Sequence, residues 1–429
     1  MKPLWAGRRI NSNLRMLGSG QLDAGFAALA GFIAAALAVR NLTPEELGVY
    51  SLLFLAFSVA SQIPTQLVLS PAEVIIAHRP EEQRIGSLRW SLPRGTVVAG
   101  LASVTVAAGA LPLAGDVDLA DVSPLVVTAV AFTLISPVQD HIRRVLHTAG
   151  RSGQASLVSA ANLVATAVSA FVLLVIDPLW VAFGSMTIGN IFSCLVAIAF
   201  VKGQHRTTPV SSRELVAIGR YLLVVGLSNS GGSYLAGTLV GTIAGPAALG
   251  YVEAARLVAR PLDVSTQGVM AAMGPRLMVA SANRDRDLVR GLSRTVYLAI
   301  LAVSLGYIVL VATPIAWGIP RGLFPVAYEV SGLVLAMLLT QLVISATRPL
   351  QALLMGLRRE ISLAVLEVLA QIGRLVASLS AVWIGAFGLP AGDLVAHGFK
   401  FSRYWMTFRA SEADPRHIDD TGDMGPGER

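Results

Sequence analysis

Apolar stretches of about twenty residues recur from one end of the chain to the other, separated by short polar connections. A helix needs roughly 20 apolar residues to cross a bilayer core. The pattern predicts spans at 20–40, 46–70, 92–113, 123–148, 154–176, 180–201, 215–243, 247–272, 295–317, 326–356, 361–385 and 390–410. The last is the weakest, because it carries Asp393, His397, Lys400 and Arg403. A crossing is predicted for it, with an amphipathic helix lying at the interface as the alternative. The polar, Gly- and Pro-bearing stretch 411–429 is predicted to be a disordered cytoplasmic tail. The fold class is therefore an all-α polytopic membrane protein of about 12 transmembrane helices.

Charge divides the connections into two sets. Segments 1–19, 77–94, 143–153, 202–213, 276–294 and 357–360 hold 21 Lys and Arg, whereas the alternate connections hold essentially Arg321 and Arg40. Basic loops stay in the cytoplasm, so the N-terminus is placed inside a bacterial cytoplasmic membrane. The formal charge of +7 is explained by this asymmetry without nucleic acid as a partner. Only 14% of the 429 residues are charged and 54% are hydrophobic, against about a quarter charged in soluble domains. The single cysteine, Cys194, rules out an intramolecular disulfide or a multi-cysteine metal site. No signal peptide is predicted, since the basic head leads into a span with no short apolar core and cleavage site. No hydrolytic triad, phosphate-binding glycine loop or zinc motif occurs, and the outer loops are short. An enzyme is thus the poorer reading, and no cofactor or metal is implied.

The chain also repeats itself. In "TPEELGVY" (43–50) and "GPAALGYV" (245–252), Pro44, Leu47 and Gly48 fall on Pro246, Leu249 and Gly250 at an offset of 202. Gly150 and Ser156 fall on Gly356 and Ser362 at an offset of 206. Two lobes are predicted, 1–205 and 206–410, each of six spans. An even number of spans per lobe makes the repeat parallel about an axis along the membrane normal. Pro137 and Pro349, in the fourth and tenth spans, are predicted to interrupt equivalent helices.

The eighth span is the most polar. Glu253, Arg256, Arg260, Asp263 and Gln267 lie within an arc of roughly 80° at 100° per residue. A buried arginine costs at least about 2.5 kcal/mol, so this face must meet partners or water. The spacing predicts Glu253–Arg256 and Arg260–Asp263 as i,i+3 pairs. Further polar residues lie at Ser58, Gln62, Gln66 and Glu73 in the second span, Asp23 in the first and Asp140 in the fourth. Asn229 stands in the seventh, Gln341 and Arg348 in the tenth, and Glu367, Gln371 and Arg374 in the eleventh. Gly237, Gly241 and Gly245 form a small-residue ridge on the seventh. Arg143 and Arg144 read as topogenic charges, and His141 and His147 as interfacial. Some of these ion pairs can equally be scaffold that ties two helices together.

The opening pattern, a basic N-terminus followed by "GFIAAALAVRNLTPEELGVYSLLFLAFSVA", resembles the polysaccharide-biosynthesis flippases of the multidrug/oligosaccharidyl-lipid/polysaccharide exporter superfamily. The turn Leu42–Tyr50 and the connection "HTAGRSGQASLVSAAN" carry the likeness. The resemblance implies two six-helix lobes in a V, with helices 1, 2, 7 and 8 flanking a central cavity. It implies movement of a polyprenyl-diphosphate-linked sugar between leaflets for surface-polysaccharide assembly, beside membrane lipid, a polysaccharide polymerase and glycosyltransferases. Arg256, Arg260, Gln62, Gln66, Asn229 and Arg374 are then the candidate substrate-binding residues. Asp23, Asp140, Glu253 and Asp263 are candidates for coupling to an ion gradient. A drug or cation exporter of the same superfamily, and a non-transporting scaffold of a polysaccharide-synthesis complex, are the alternatives.

Overall fold

The computed structural model describes residues 5–77, 81–113, 116–118, 120–201, 209–312, 332–357 and 359–413, with most side chains from residue 22 onward. Among these residues the chain is helical throughout, with no strand. Twelve long helices follow in order. They are α1 (Trp5–Asn41), α2 (Pro44–Pro64, continuing through a π-helical turn Thr65–Leu69 into Ser70–Ala77), α3 (Leu88–Ala107) and α4 (Ser123–Thr148). Then come α5 (Ser152–Ile176), α6 (Val181–Val201), α7 (Ser212–Ala244) and α8 (Pro246–Ala282). The set ends with α9 (Arg286–Ala312), α10 (Leu333–Gly356), α11 (Glu360–Ser378) and α12 (Gly388–Ala413).

Nine of these helices, among the described residues, are long and apolar enough to cross a membrane, and the bent helix α7 makes a tenth. The two left over, α8 and α12, each carry several charges, Glu253, Arg256, Arg260 and Asp263 on α8 and Asp393, Lys400, Arg403 and Arg409 on α12. Three polar residues of α12, Asp393, Lys400 and Tyr404, are buried, Arg403 and Arg409 are exposed, and the helix packs along α11 and α10. It is thus the twelfth member of the bundle rather than a surface helix. Outward, the helices show bare Val, Leu, Ile and Phe, as on α5, where Phe171 and Val175 are exposed. That is the surface expected against lipid, where each helix satisfies its own backbone.

Helix starts follow local chemistry. Thr43 caps α2 through a reciprocal box in which the Glu46 amide donates to Thr43 Oγ1 (3.2 Å) and the Thr43 amide to Glu46 Oε2 (2.8 Å). Pro44 occupies the first turn, where a missing N–H costs nothing. Ser211 caps α7 through one half of such a box, its Oγ accepting from the Glu214 amide (3.2 Å). Pro137 and Pro349, predicted to interrupt their spans, sit inside helices that run on through them. The irregular backbone lies instead just past Pro64, in the π-helical turn Thr65–Leu69.

Helices of the second half meet those of the first mainly where α2 packs on α8 and α7, and where α1 approaches α8. Gly237 on the ridge of α7 receives Leu55 of α2, and Gly241 receives Leu249. Gly245 serves a different purpose: its φ of 85° turns the chain from α7 into α8. An aromatic group, Tyr50, Phe54, Phe57, Phe132 and Phe183, fills the first-half side of this seam. The stretch 313–331, with Arg321, lies outside the described residues; of the predicted disordered tail 411–429, residues 411–413 are instead the last of α12, and 414–429 lie outside the described residues.

Candidate functional site

A cavity of about 740 Å³ lies between α1, α8 and α10. Most of its wall is apolar, from residues such as Leu29, Phe32 and Met337. The polar exceptions are concentrated on α8, at Arg256, Arg260 and Asp263. Of the four helices the resemblance placed around a cavity, α1 and α8 line this one, α2 contributes Phe54, and α7 contributes no residue among those described.

The α8 charges are arranged around one carboxylate. Glu253 is fully buried, and it accepts from Arg256 Nη1 at 2.8 Å and Arg260 Nη2 at 2.7 Å. Both arginines keep about a quarter of their side chains exposed (24% and 23%). Arg260 also lies 5.8 Å over the Phe54 ring and donates to the Gly31 carbonyl across the α1–α8 seam (3.4 Å). The predicted Arg260–Asp263 pair is not formed. One further turn along the helix, the Asp263 carboxylate meets α10 instead. It accepts from Arg348 Nη2 and Gln341 Nε2, both at 2.6 Å, and from Gln267 at 2.8 Å. Glu253 wins Arg260 because i,i+7 residues lie two turns apart on the same stripe, within reach of a long guanidinium.

A second buried cluster joins α7, α11 and α12. Arg374 pairs with Asp393 and Ser233, and Lys400 with Glu367 at 2.6 Å. Gln371 donates to Glu367 (2.8 Å) and to Asn229 (3.4 Å). Asp393 reaches the cavity wall, so this cluster backs onto the first. A third cluster lies in the first half. Asp23 of α1, 4% exposed, accepts from Arg143 (2.7 and 3.1 Å), His147 (3.0 Å) and Ser159 (2.5 Å). Arg143 also holds Asp140, and His141 links Ser91 to Glu73. Arg143 and His147 are therefore pillars of an α1–α4–α5 network rather than loop charges, and His141 is buried rather than interfacial. Only Arg144, half exposed, keeps the predicted surface character.

The candidate residues thus divide among four places. Arg256, Arg260, Glu253 and Asp263 come together at the cavity. Gln62 and Gln66 bond to each other (3.0 Å) and lie in the α2–α7 seam, where a methyl added at Gly226 would meet Gln62 Oε1 at 2.6 Å. Asn229 and Arg374 belong to the α7–α11–α12 cluster, and Asp23 and Asp140 to the first-half network. Sequence reasoning did not place Phe54 or Asp393 at the cavity. Arg374 was the available signal for Asp393, because a guanidinium inside a bundle needs an acid and the last span offered one.

No protein-family model matches the chain, and no curated relative does. Solved structures do. An inward-facing multidrug resistance MATE family transporter of the MOP superfamily superposes with a TM-score of 0.69 at 14% identity, covering 92% of this chain and 99% of the other. The chain has the fold of the MATE transporters. An outward-facing structure of a protein with the same description gives 0.62 at 13% identity, covering 93% and 96%. A MOP superfamily transporter from Pyrococcus furiosus, described as having a binding pocket of reverse polarity that suggests a different function, gives 0.61 at 13%, covering 94% and 96%. These likenesses establish the two-lobed, twelve-helix architecture.

Proposed function

We propose that the chain is an alternating-access exporter that carries an amphiphile with an anionic headgroup across a bacterial cytoplasmic membrane, its N-terminus inside. The observation that supports this is charge balance. Around the cavity and its immediate ion partners, among the described residues, stand four arginines (256, 260, 348 and 374) and three carboxylates (Glu253, Asp263 and Asp393). One positive charge is left over, and it sits on the two arginines that share Glu253. A planar guanidinium fork matches phosphate oxygens, and apolar cavity walls suit the start of a lipid chain. A polyprenyl-diphosphate-linked sugar, handed over by glycosyltransferases and passed to a polymerase, is the substrate class that fits both features.

A second reading, export of drugs or lipophilic cations, is favoured by the multidrug MATE transporters among the neighbours. It is disfavoured by a cationic surplus at the site. The reverse-polarity neighbour indicates that this fold accommodates pockets of different charge.

Proteoliposomes decide between the two. A fluorescent short-chain polyprenyl-diphosphate sugar and ethidium are offered in parallel, with and without a proton or sodium gradient. Translocation of the diphosphate lipid, lost in Arg260→Gln, supports the anionic reading. Transport of ethidium alone overturns it.

A further inference from the structure

The repeated motif found in the sequence performs one specific task in the fold. Pro44 and Pro246 open α2 and α8, and Gly48 and Gly250 follow one turn later. In space the two motifs cross reciprocally. Gly48 lies against the backbone of Pro246, and Gly250 against the backbone of Pro44. A methyl built on Gly48 would come 2.6 Å from the Pro246 carbonyl carbon, and one on Gly250 would come 2.9 Å from that of Pro44. Ordinary carbon contacts lie at about 3.5–4.0 Å. The obstacle is backbone in both cases, so no rotamer change can make room. Only a bare Cα on each helix permits the approach.

The crossing stands at one end of the molecule. Helices α2 and α8 both start there, opposite the basic connections. Beside it Leu47, Val49, Tyr50, Leu249 and Val252 are buried in a common core. The Arg260 cavity lies further along α2 and α8, on the basic-loop side of this plug, and its wall extends to Val264, Ser265 and Ile344. The better superposition on an inward-facing than on an outward-facing neighbour agrees with an outer end that is shut.

We propose that the reciprocal Gly48–Pro246 and Gly250–Pro44 crossing is the outer lock of the transport cycle, a backbone-to-backbone latch that holds the inward-facing state and must part for release. The proposal rests on the alternating-access reading above. Two symmetric contacts with no side chain between them make a latch of short reach: once the first turns separate, little attraction persists. An all-or-none closure of this kind suits a step between two discrete states.

The test measures distance and needs no substrate. In a Cys194→Ser background, spin labels at Glu45→Cys and Thr242→Cys report the lock end, and labels at Gly153→Cys and Asp287→Cys report the opposite end. Gly48→Ala and Gly250→Ala, singly and together, should lengthen the first distance by several ångströms and shorten the second. Gly237→Ala, whose methyl would meet the movable tip of Leu55, should leave both unchanged. Unaltered distances in folded Gly48→Ala and Gly250→Ala protein overturn the lock and leave the transport reading standing. Should the alanine variants fail to fold, the wild-type lock is tethered instead by a short bifunctional maleimide between Glu45→Cys and Thr242→Cys. Tethering should abolish translocation of the fluorescent diphosphate lipid, while the untethered double cysteine remains active. Full activity of the tethered protein overturns the proposal, and absence of activity before tethering counts against the transport reading instead.

Discussion

Replacing Glu253 by Gln perturbs the cavity most cleanly, because one buried carboxylate holds two arginines at 2.7 and 2.8 Å. Removing one partner of a buried ion pair costs about 3–5 kcal/mol. Both guanidinium groups here keep roughly a quarter of their surface open to the cavity, and solvent there screens them. The expected loss for Glu253→Gln therefore falls below that range, at about 2–3 kcal/mol. The same change raises the surplus around the cavity from one positive charge to two, so it should tighten binding of an anion while weakening the empty protein. A ligand at 100 times its Kd stabilises by about 2.7 kcal/mol, which is enough to offset the defect. The assay is the thermal unfolding midpoint in detergent, with and without farnesyl diphosphate as the soluble headgroup probe. The midpoint of Glu253→Gln should fall without ligand and return close to the wild-type value with it. Wild type should gain less, and Arg260→Gln should gain nothing. The reasoning fails if farnesyl diphosphate leaves Glu253→Gln unstabilised, or if ethidium stabilises it more.

Other perturbations separate site from scaffold. Asp23→Asn removes the central acceptor of Arg143, His147 and Ser159 and should cost about 3 kcal/mol, whereas Asp140→Asn, at a half-exposed carboxylate, should cost under about 1 kcal/mol. Unfolding midpoints of equal size for the two would refute this ranking. Asp263→Asn should loosen α8 from α10 through Arg348 and Gln341 while leaving Arg260 on Glu253, so diphosphate stabilisation should persist; its loss would show that Arg260 depends on Asp263 after all. Arg260→Lys should retain part of the translocation activity, since charge remains but the two-pronged donor is lost, and full activity would argue against bidentate contact. Cysteines at Asp118 and Arg284, both exposed, should label from opposite sides of the membrane in a Cys194→Ser background; labelling of both from outside would overturn the orientation drawn from loop charge.

The helices were legible because lipid makes each one a local problem. A span must satisfy its own backbone, so twenty apolar residues in a row announce it regardless of what lies beside it. Even α12, the weakest span, could be placed. Its arginines would break the charge asymmetry if left outside, and in the fold its acid and lysine are turned onto Arg374 and Glu367. The polar face of α8 was legible for the same reason, since five polar residues in one narrow arc require a wet or polar neighbour.

Partner choice was not legible. Asp263 has an arginine three residues away on its own helix, yet it is bound by one 85 residues further along the chain. Helical spacing states which pairs can meet; only packing between helices states which do. The same limit applied to Arg143, whose place beside two other basic residues looked like a topological signal until Asp23, 120 residues earlier, was found beneath it. The repeat shows the limit from the other side. Pro44, Leu47 and Gly48 could be aligned with Pro246, Leu249 and Gly250 from letters alone, and that alignment implied a two-fold relation between lobes. A relation of that kind requires each motif to face its equivalent wherever the axis passes between them. The absence of a side chain at Gly48 and Gly250 therefore gains its meaning only when both copies are considered together: each glycine is small for the sake of the other lobe's proline.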